Sequence, residues 1–86
     1  MNRTMAYEVH LETIQQLRDE AIDHDTLARA LEDYAEDIMR IPTKGAVADQ
    51  AAVYLAEEAR TKAEAVRKMA RVKRERAISM EKDGMP

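Results

Sequence analysis

Residues 46–82 read AVADQAAVYLAEEARTKAEAVRKMARVKRERAISMEK and contain neither glycine nor proline. Alanine, glutamate, lysine and arginine dominate this stretch, and all four are strong helix formers. At about 1.5 Å per residue, one unbroken helix here would be roughly 55 Å long. A helix of this length is typical of a coiled coil or of a bundle shared between chains.

The apolar residues of this long helix recur on one stripe when residues are spaced at 100°. Most of them are alanine, so a neighbouring helix can approach closely. The members of the stripe are Ala48, Ala52, Leu55, Ala59, Ala63, Val66, Ala70 and Ala77. Lys73 also falls on the stripe, and we expect the turns beyond about Met69 to project from the bundle or to pack on another subunit.

Two shorter helices are predicted before the long one, at about 5–22 and 26–41. The first carries an apolar stripe formed by Tyr7, Leu11, Ile14, Leu17 and Ala21. The second follows a heptad pattern formed by Leu27, Leu31, Tyr34, Ile38 and Ile41. Between them, Asp23-His24-Asp25 predicts a tight turn, because short acidic side chains cap helix N-termini well. The alternative is one bent helix through both segments.

Pro42-Thr43-Lys44-Gly45 is the clearest loop, since proline and glycine both end helices. Four residues allow an antiparallel return, as in a helical hairpin. Residues 83–86 form a predicted C-terminal tail, with Gly84 as the helix cap. The predicted fold is therefore all-α, with residues 1–82 as a single helical domain. A helical hairpin packs on a long C-terminal helix, as a three-helix bundle or in a coiled-coil-like arrangement.

The chain is short of large apolar residues for a stable monomer. Its 86 residues include 15 Leu, Ile and Val, another 15 Ala, and no Phe or Trp. Chains of this size bury a limited core even with larger side chains. A second, weaker apolar strip on the long helix indicates another helix contact. We therefore predict a homo-oligomer, with interface residues Val47, Tyr54, Met69 and Met80.

Charge is distributed unevenly along the chain. Residues 1–59 carry a net charge of −8 and residues 60–86 a net charge of +5, in a chain of net charge −3. Such asymmetry suggests charged partners. The predicted basic partner-binding surface consists of Arg60, Arg67, Lys68, Arg71, Lys73, Arg74 and Arg76. The predicted acidic one consists of Glu32, Asp33, Glu36 and Asp37. The alternative for both is an ordinary solvated helix face.

The sequence offers no candidate for catalysis, cofactor binding or metal binding. There is no cysteine, Ser79 is the single serine, and no glycine-rich phosphate loop is present. His10 and His24 each lack the glutamate three residues earlier that di-iron bundles use. The first residues are not those of a signal peptide, and no apolar run approaches the ~20 residues of a membrane span. We therefore expect a non-enzymatic, cytoplasmic protein.

The predicted function is a protein–protein interaction module, a small adaptor or an inhibitor that occupies a partner's surface. One alternative is a nucleic-acid-associated protein that uses the basic C-terminal helix. Another is an oligomer that sequesters a small ligand between its subunits. The composition resembles that of many phage and mobile-element accessory proteins, which is an analogy of composition alone.

Overall fold

The computed structural model describes the backbone of residues 3–83 and the side chains of residues 6–83, so the predicted cap at Gly84 lies outside the described residues. Two antiparallel helices, α1 (Arg3–Arg40) and α2 (Ala46–Asp83), form a hairpin that measures 68 × 16 × 14 Å. The all-α class, the long C-terminal helix and the loop at residues 42–45 are confirmed. The predicted three-helix arrangement is wrong, because the described chain contains two helices.

The turn predicted at Asp23-His24-Asp25 is absent, and α1 continues through it. No glycine or proline interrupts this segment, and aspartate costs a helix interior only a fraction of a kilocalorie, up to about 0.7 kcal/mol. Asp25 also pairs with arginines of α2, at 3.8 Å from Arg67 and in direct contact with Arg74. Tertiary contacts from the second helix therefore favour the continuous helix over a local cap.

The loop between the helices is closed by its own backbone. The Ile41 N–H donates to the Ile38 carbonyl at 3.2 Å, and the Asp49 N–H donates to the Gly45 carbonyl at 3.1 Å. Gly45 has a φ of 103°, in the region that side chains with a Cβ rarely adopt. Pro42 cannot extend α1, since it lacks a backbone N–H. These features turn the chain back within five residues, Ile41 to Gly45.

The contact between the helices, which we call the seam, has a seven-residue repeat. In each helix one line of buried side chains recurs at every seventh position, namely Ile14, Ala21, Ala28 and Ala35 in α1 and Ala56, Ala63, Ala70 and Ala77 in α2. A second, mostly half-buried line completes the repeat, namely Leu17, His24, Leu31 and Ile38 in α1 and Ala52, Ala59, Val66, Lys73 and Met80 in α2. This is the repeat of a coiled coil.

The seam is narrow because alanine occupies most of its buried positions. Near the loop, Ala35, Ile38, Ala56 and Ala59 form one buried cluster. No large side chain is fully buried among the described residues. The stripes predicted from the sequence placed Leu27, Tyr34 and Leu55 in the core, whereas all three are exposed beside it. Small side chains bring the helices together closely but bury little apolar area.

Candidate interaction surfaces

One broad side of the hairpin, which we call the ion-pair face, carries three ion pairs between the helices at seven-residue intervals. Their partners are Arg18 with Glu81, Asp25 with Arg74, and Glu32 with Arg67. All six residues directly follow a residue of the second line of the seam, so they flank the seam on the same side. Arg67 and Arg74 of the predicted basic surface and Glu32 of the predicted acidic surface therefore contact the other helix of the hairpin.

The order of charges in these ion pairs fits the observed register of the hairpin better than registers shifted by one heptad. In two of them the acid is on α1, whereas in the third Arg18 of α1 meets Glu81 of α2. A slip of one heptad in one direction would bring Asp25 level with Glu81, and a slip in the other direction would bring Arg18 level with Arg74. Flanking charges set register in coiled coils in this way. Exposed ion pairs and exposed like-charge contacts each change stability by only a few tenths of a kilocalorie, so these charges add a small bias to the register that the short loop allows.

Glu32 and Arg67 form the best-connected pair of this face. The Arg67 Nε–H donates to Glu32 Oε2 at 3.1 Å, and its Nη2 group donates to Oε1. This bidentate hydrogen bonding lowers the pKa of Glu32 and raises the pKa of Arg67. Both side chains are about two-fifths exposed, so water screens the attraction.

A further ion pair lies within the seam itself. Lys73 occupies a seam position on α2, and its ammonium group donates to Glu20 of α1. This hydrogen bond, followed by one from Gln16, lowers the pKa of Glu20. The sequence predicted Lys73 as part of a partner-binding surface, but the structure directs it into a contact between the helices.

Near the open end of the hairpin, His10 ties the start of α1 to the end of α2. Its Nε2–H donates to the backbone carbonyl of Met80 at 2.7 Å. Carbonyls in the last turn of a helix lack partners within that helix. His10 therefore caps α2 from the neighbouring helix.

Of the remaining predicted basic residues, Lys68 and Arg71 point away from the seam, whereas Arg60 flanks it on the ion-pair face and Arg76 flanks it on the opposite side. Within residues 6–83, no ion pair involves Arg60, Lys68, Arg71 or Arg76. Glu64 and Glu75 lie on the same outer side of α2, so the outward charge there is mixed. The seven predicted cations consequently do not form one uninterrupted basic surface.

The predicted acidic residues are also divided between roles. Glu32 belongs to the ion-pair face, whereas Glu36 and Asp37 lie 3.8 and 3.9 Å from Arg40 on the same helix. Asp33 is exposed and makes no ion pair within residues 6–83. On this side a charged groove of about 440 Å³ is lined by Arg29, Glu32, Asp33, Glu36, Arg60 and Arg67. Because both signs of charge line it, the groove favours neither cations nor anions.

The opposite broad side of the hairpin, which we call the apolar face, is formed by Leu27, Tyr34, Leu55 and Met69. These side chains are 43–54% exposed and flank the seam directly. Around Tyr34 and Leu55 they border a shallow groove of about 170 Å³, whose other lining residues are Leu31 and Ala59 of the seam and the charged side chains Glu58 and Lys62. Lys62 and Glu58 form an ion pair of 3.0 Å within α2. Among residues 6–83, one ion pair between the helices, Glu20–Lys73, lies on this side. Lys62 and Arg76 also flank the seam here, because they directly precede Ala63 and Ala77 as Leu55 and Met69 precede Ala56 and Ala70.

The four predicted interface residues do not share one surface. Met69 is on the apolar face, and Met80 lies in the seam near the open end. Val47 and Tyr54 are seven residues apart on the outer side of α2, where they are 82% and 67% exposed. The sequence predicted Leu27 and Leu55 as core residues and therefore did not identify them as part of an exposed surface. The available signal was their position directly beside the alanines of the seven-residue repeat.

Other classes of site find no support in the described part of the chain. Between residues 6 and 83 there is no group of three His, Asp or Glu side chains that could hold a metal ion. Neither of the two described helices combines the length and apolar character that crossing a bilayer requires. Comparisons with protein-family models, with curated proteins and with solved structures found no match.

Proposed function

We propose that this chain is a non-enzymatic protein–protein interaction module that acts by presenting one side of a helical hairpin to another helical surface. The observation that carries the proposal is the apolar face, where four large side chains are about half exposed next to a seam of alanines. Exposed apolar residues scattered singly are ordinary, whereas several on one side of a seam, mixed with a few polar groups such as Lys62, are typical of a docking surface.

Docking by helices suits the shape of this face. Leu27 and Tyr34 are seven residues apart on α1, which is two turns of helix. An amphipathic helix laid along the groove would present its own apolar side chains at similar intervals. An adaptor would use this face to join the hairpin to its partner, and an inhibitor would use it to cover a surface the partner needs. Self-association is a further form of the same interaction.

Nucleic-acid binding has less support than protein binding. Three of the seven predicted cations, Arg67, Lys73 and Arg74, contact carboxylates of α1. The net charge of the chain is −3, and there are no aromatic residues among the cations of residues 67–76 on which bases could stack.

The proposal is tested by comparing complex formation by the wild type and two double variants. In the face variant, Leu27→Gln and Met69→Gln make the apolar face polar. In the matched control, Ile22→Gln and Ile78→Gln remove side chains that are 61% and 50% exposed on other parts of the surface. We expect complexes, with the same chain or with another protein, to be lost in the face variant and kept in the control. If neither variant alters any complex, or if no complex forms, the proposal is wrong.

A further inference from the structure

We infer that the apolar face is covered by a second copy of this chain, so that two hairpins stack into a four-helix bundle with α1 of each lying over α2 of the other. The inference rests on the proposed function, since it takes the apolar face to be an interaction surface. It adds the partner, the symmetry and the residues that meet.

The first argument is the incompleteness of a two-helix layer. Domains consist of at least two packed layers around one core. Here the buried side chains of the seam are alanines except for Ile14 and Ile38, and no large side chain of the described residues is fully buried. A second hairpin on the apolar face would supply the missing layer. The ion-pair face carries six charged side chains paired between the helices, whereas on the apolar face Glu20, Lys62 and Arg76 stand beside Leu27, Tyr34, Leu55 and Met69. Covering the apolar face therefore desolvates fewer charged groups.

The second argument is area. The hairpin is 68 Å long and 16 Å wide, and a face of these dimensions covers on the order of 1,000 Å². Stable interfaces bury roughly 800 Å² on each partner. Stacking two hairpins along much of their length therefore provides enough area for a stable dimer.

The third argument is charge, and it selects the arrangement. Helix α1 contains 4 basic and 10 acidic residues, a net charge of −6, whereas α2 contains 9 basic and 7 acidic residues, a net charge of +2. A two-fold axis across the hairpin would stack α1 on α1 and bring two strongly acidic helices together. A two-fold axis along the hairpin instead stacks α1 on the oppositely charged α2 of the other copy. Complementary charge favours the second arrangement.

The ion pairs of the hairpin fix which residues would meet. Because Asp25 pairs with Arg74 and Arg67, and Glu20 pairs with Lys73, Leu27 lies at nearly the same height as Met69. An axis along the hairpin preserves height, so Leu27 of one copy lies opposite Met69 of the other. A closed, self-complementary contact of this kind is the commonest form of homodimer.

Sedimentation of the wild type and of the two double variants at micromolar concentration tests the partner. We expect a wild-type dimer, with a melting temperature that rises with protein concentration because association stabilises the folded state. Leu27→Gln with Met69→Gln should raise the dissociation constant at least about tenfold, which corresponds to 1.4 kcal/mol, because the exposed halves of four apolar side chains, two from each copy, would no longer be buried. Ile22→Gln with Ile78→Gln should leave it within about twofold.

A stable wild-type monomer, with a melting temperature independent of concentration, would overturn the inference. If such a monomer still formed a complex with another protein through Leu27 and Met69, the proposed function would stand and self-association would be wrong. Equal weakening by both double variants would also overturn the assignment of the apolar face.

Cross-linking tests the arrangement, because the chain has no cysteine of its own. Leu27→Cys protein and Met69→Cys protein are mixed and treated with a short bis-maleimide. We expect the mixed product to dominate over the product of Leu27→Cys with itself. If Leu27→Cys alone links as efficiently, or if the mixed product does not form, the stacking of α1 on α2 is wrong.

Discussion

Arg67 of α2 reaches across the seam to Glu32 of α1 with two N–H groups, one of which donates to Oε2 at 3.1 Å. The two residues are 35 positions apart in the sequence and belong to different predicted surfaces. Their contact shows how the hairpin uses its charge asymmetry. The acidic N-terminal part and the basic C-terminal part of the chain partly neutralise each other along one face.

The first prediction concerns the pH dependence of this contact. Because Arg67 lowers the pKa of Glu32 in the folded state, the pair stabilises the fold fully above the pKa of an unfolded glutamate, about 4.3, and loses this effect as the pH falls through the lower folded pKa. Glu32→Gln should therefore lower the melting temperature at pH 7. The difference from wild type should shrink towards zero in acid.

Asp33→Asn is the matched control for Glu32→Gln, since Asp33 is the exposed neighbour and makes no ion pair within residues 6–83. Its melting temperature should follow that of the wild type at all pH values. Thermal unfolding followed by circular dichroism measures both variants. A deficit for Glu32→Gln that keeps the same size as the pH is lowered until the carboxyl groups are protonated would contradict the proposed origin of the effect.

The second prediction concerns the width of the seam. Ala63 is 1% exposed, so Ala63→Leu would force the helices apart or its own side chain into a strained rotamer. Overpacking of this kind typically costs about 1–3 kcal/mol of unfolding free energy. Thr61→Leu adds a leucine at a nearby exposed position and should be close to neutral. Urea unfolding compares the two; equal stability would mean that the seam is not closely packed.

The sequence predicted the parts of the fold that local chemistry determines. The stretch without glycine or proline from Ala46 onward is one helix, and Pro42 and Gly45 bound the loop. The break at Asp23–Asp25 was wrong because an acidic residue can cap a helix or lie inside one. Here the buried Ala21 and Ala28 on either side of this segment pack in the seam, and Asp25 contacts Arg74, 49 residues away. No local pattern contains these contacts with the other helix.

The composition of the seam was predicted only in part, because apolar stripes were traced through the larger side chains. Leu27 and Tyr34 were placed in the core, whereas the buried residues are their neighbours Ala28 and Ala35. The larger side chains lie on the apolar face instead. Alanine at every seventh position in both helices was the sequence signal that distinguishes the buried seam residues from the larger side chains of the apolar face.

The third prediction tests the continuity of α1 at the expected turn. If Asp25 capped a new helix, Thr26 would be its first residue, a position that favours proline. In the continuous helix, Thr26→Pro removes a backbone hydrogen bond and clashes with the preceding turn, which costs about 3 kcal/mol or more. Thr26→Ala is the control and should be neutral or slightly stabilising, because the Thr26 hydroxyl bonds only to the Ile22 carbonyl of its own helix. Unchanged stability of Thr26→Pro would favour the turn.

The fourth prediction concerns Gly45. Nothing lies within 4 Å of a Cβ built there, so space is not the constraint. The φ of 103° is the constraint, and an L-residue held at positive φ costs roughly 1–2 kcal/mol. Gly45→Ala should lower the unfolding free energy by about that amount, whereas Lys44→Ala in the same loop should be near neutral. If Gly45→Ala and Lys44→Ala change the unfolding free energy equally, the positive φ of Gly45 is not supported.

The last prediction separates protein binding from nucleic-acid binding. Arg67, Lys73 and Arg74 are held by carboxylates of α1, which leaves Lys68, Arg71 and Arg76 as the cations of residues 67–76 that make no ion pair within residues 6–83. Three phosphate contacts would give a shallow salt dependence and weak affinity, because binding strength follows the number of counterions released. We therefore expect no shift of duplex DNA or RNA by the wild type at about 150 mM salt, a concentration at which the Debye length is roughly 8 Å. Shifted complexes that resist competitor at this salt concentration and that weaken with Lys68→Gln and Arg71→Gln would instead establish the basic helix as a nucleic-acid surface.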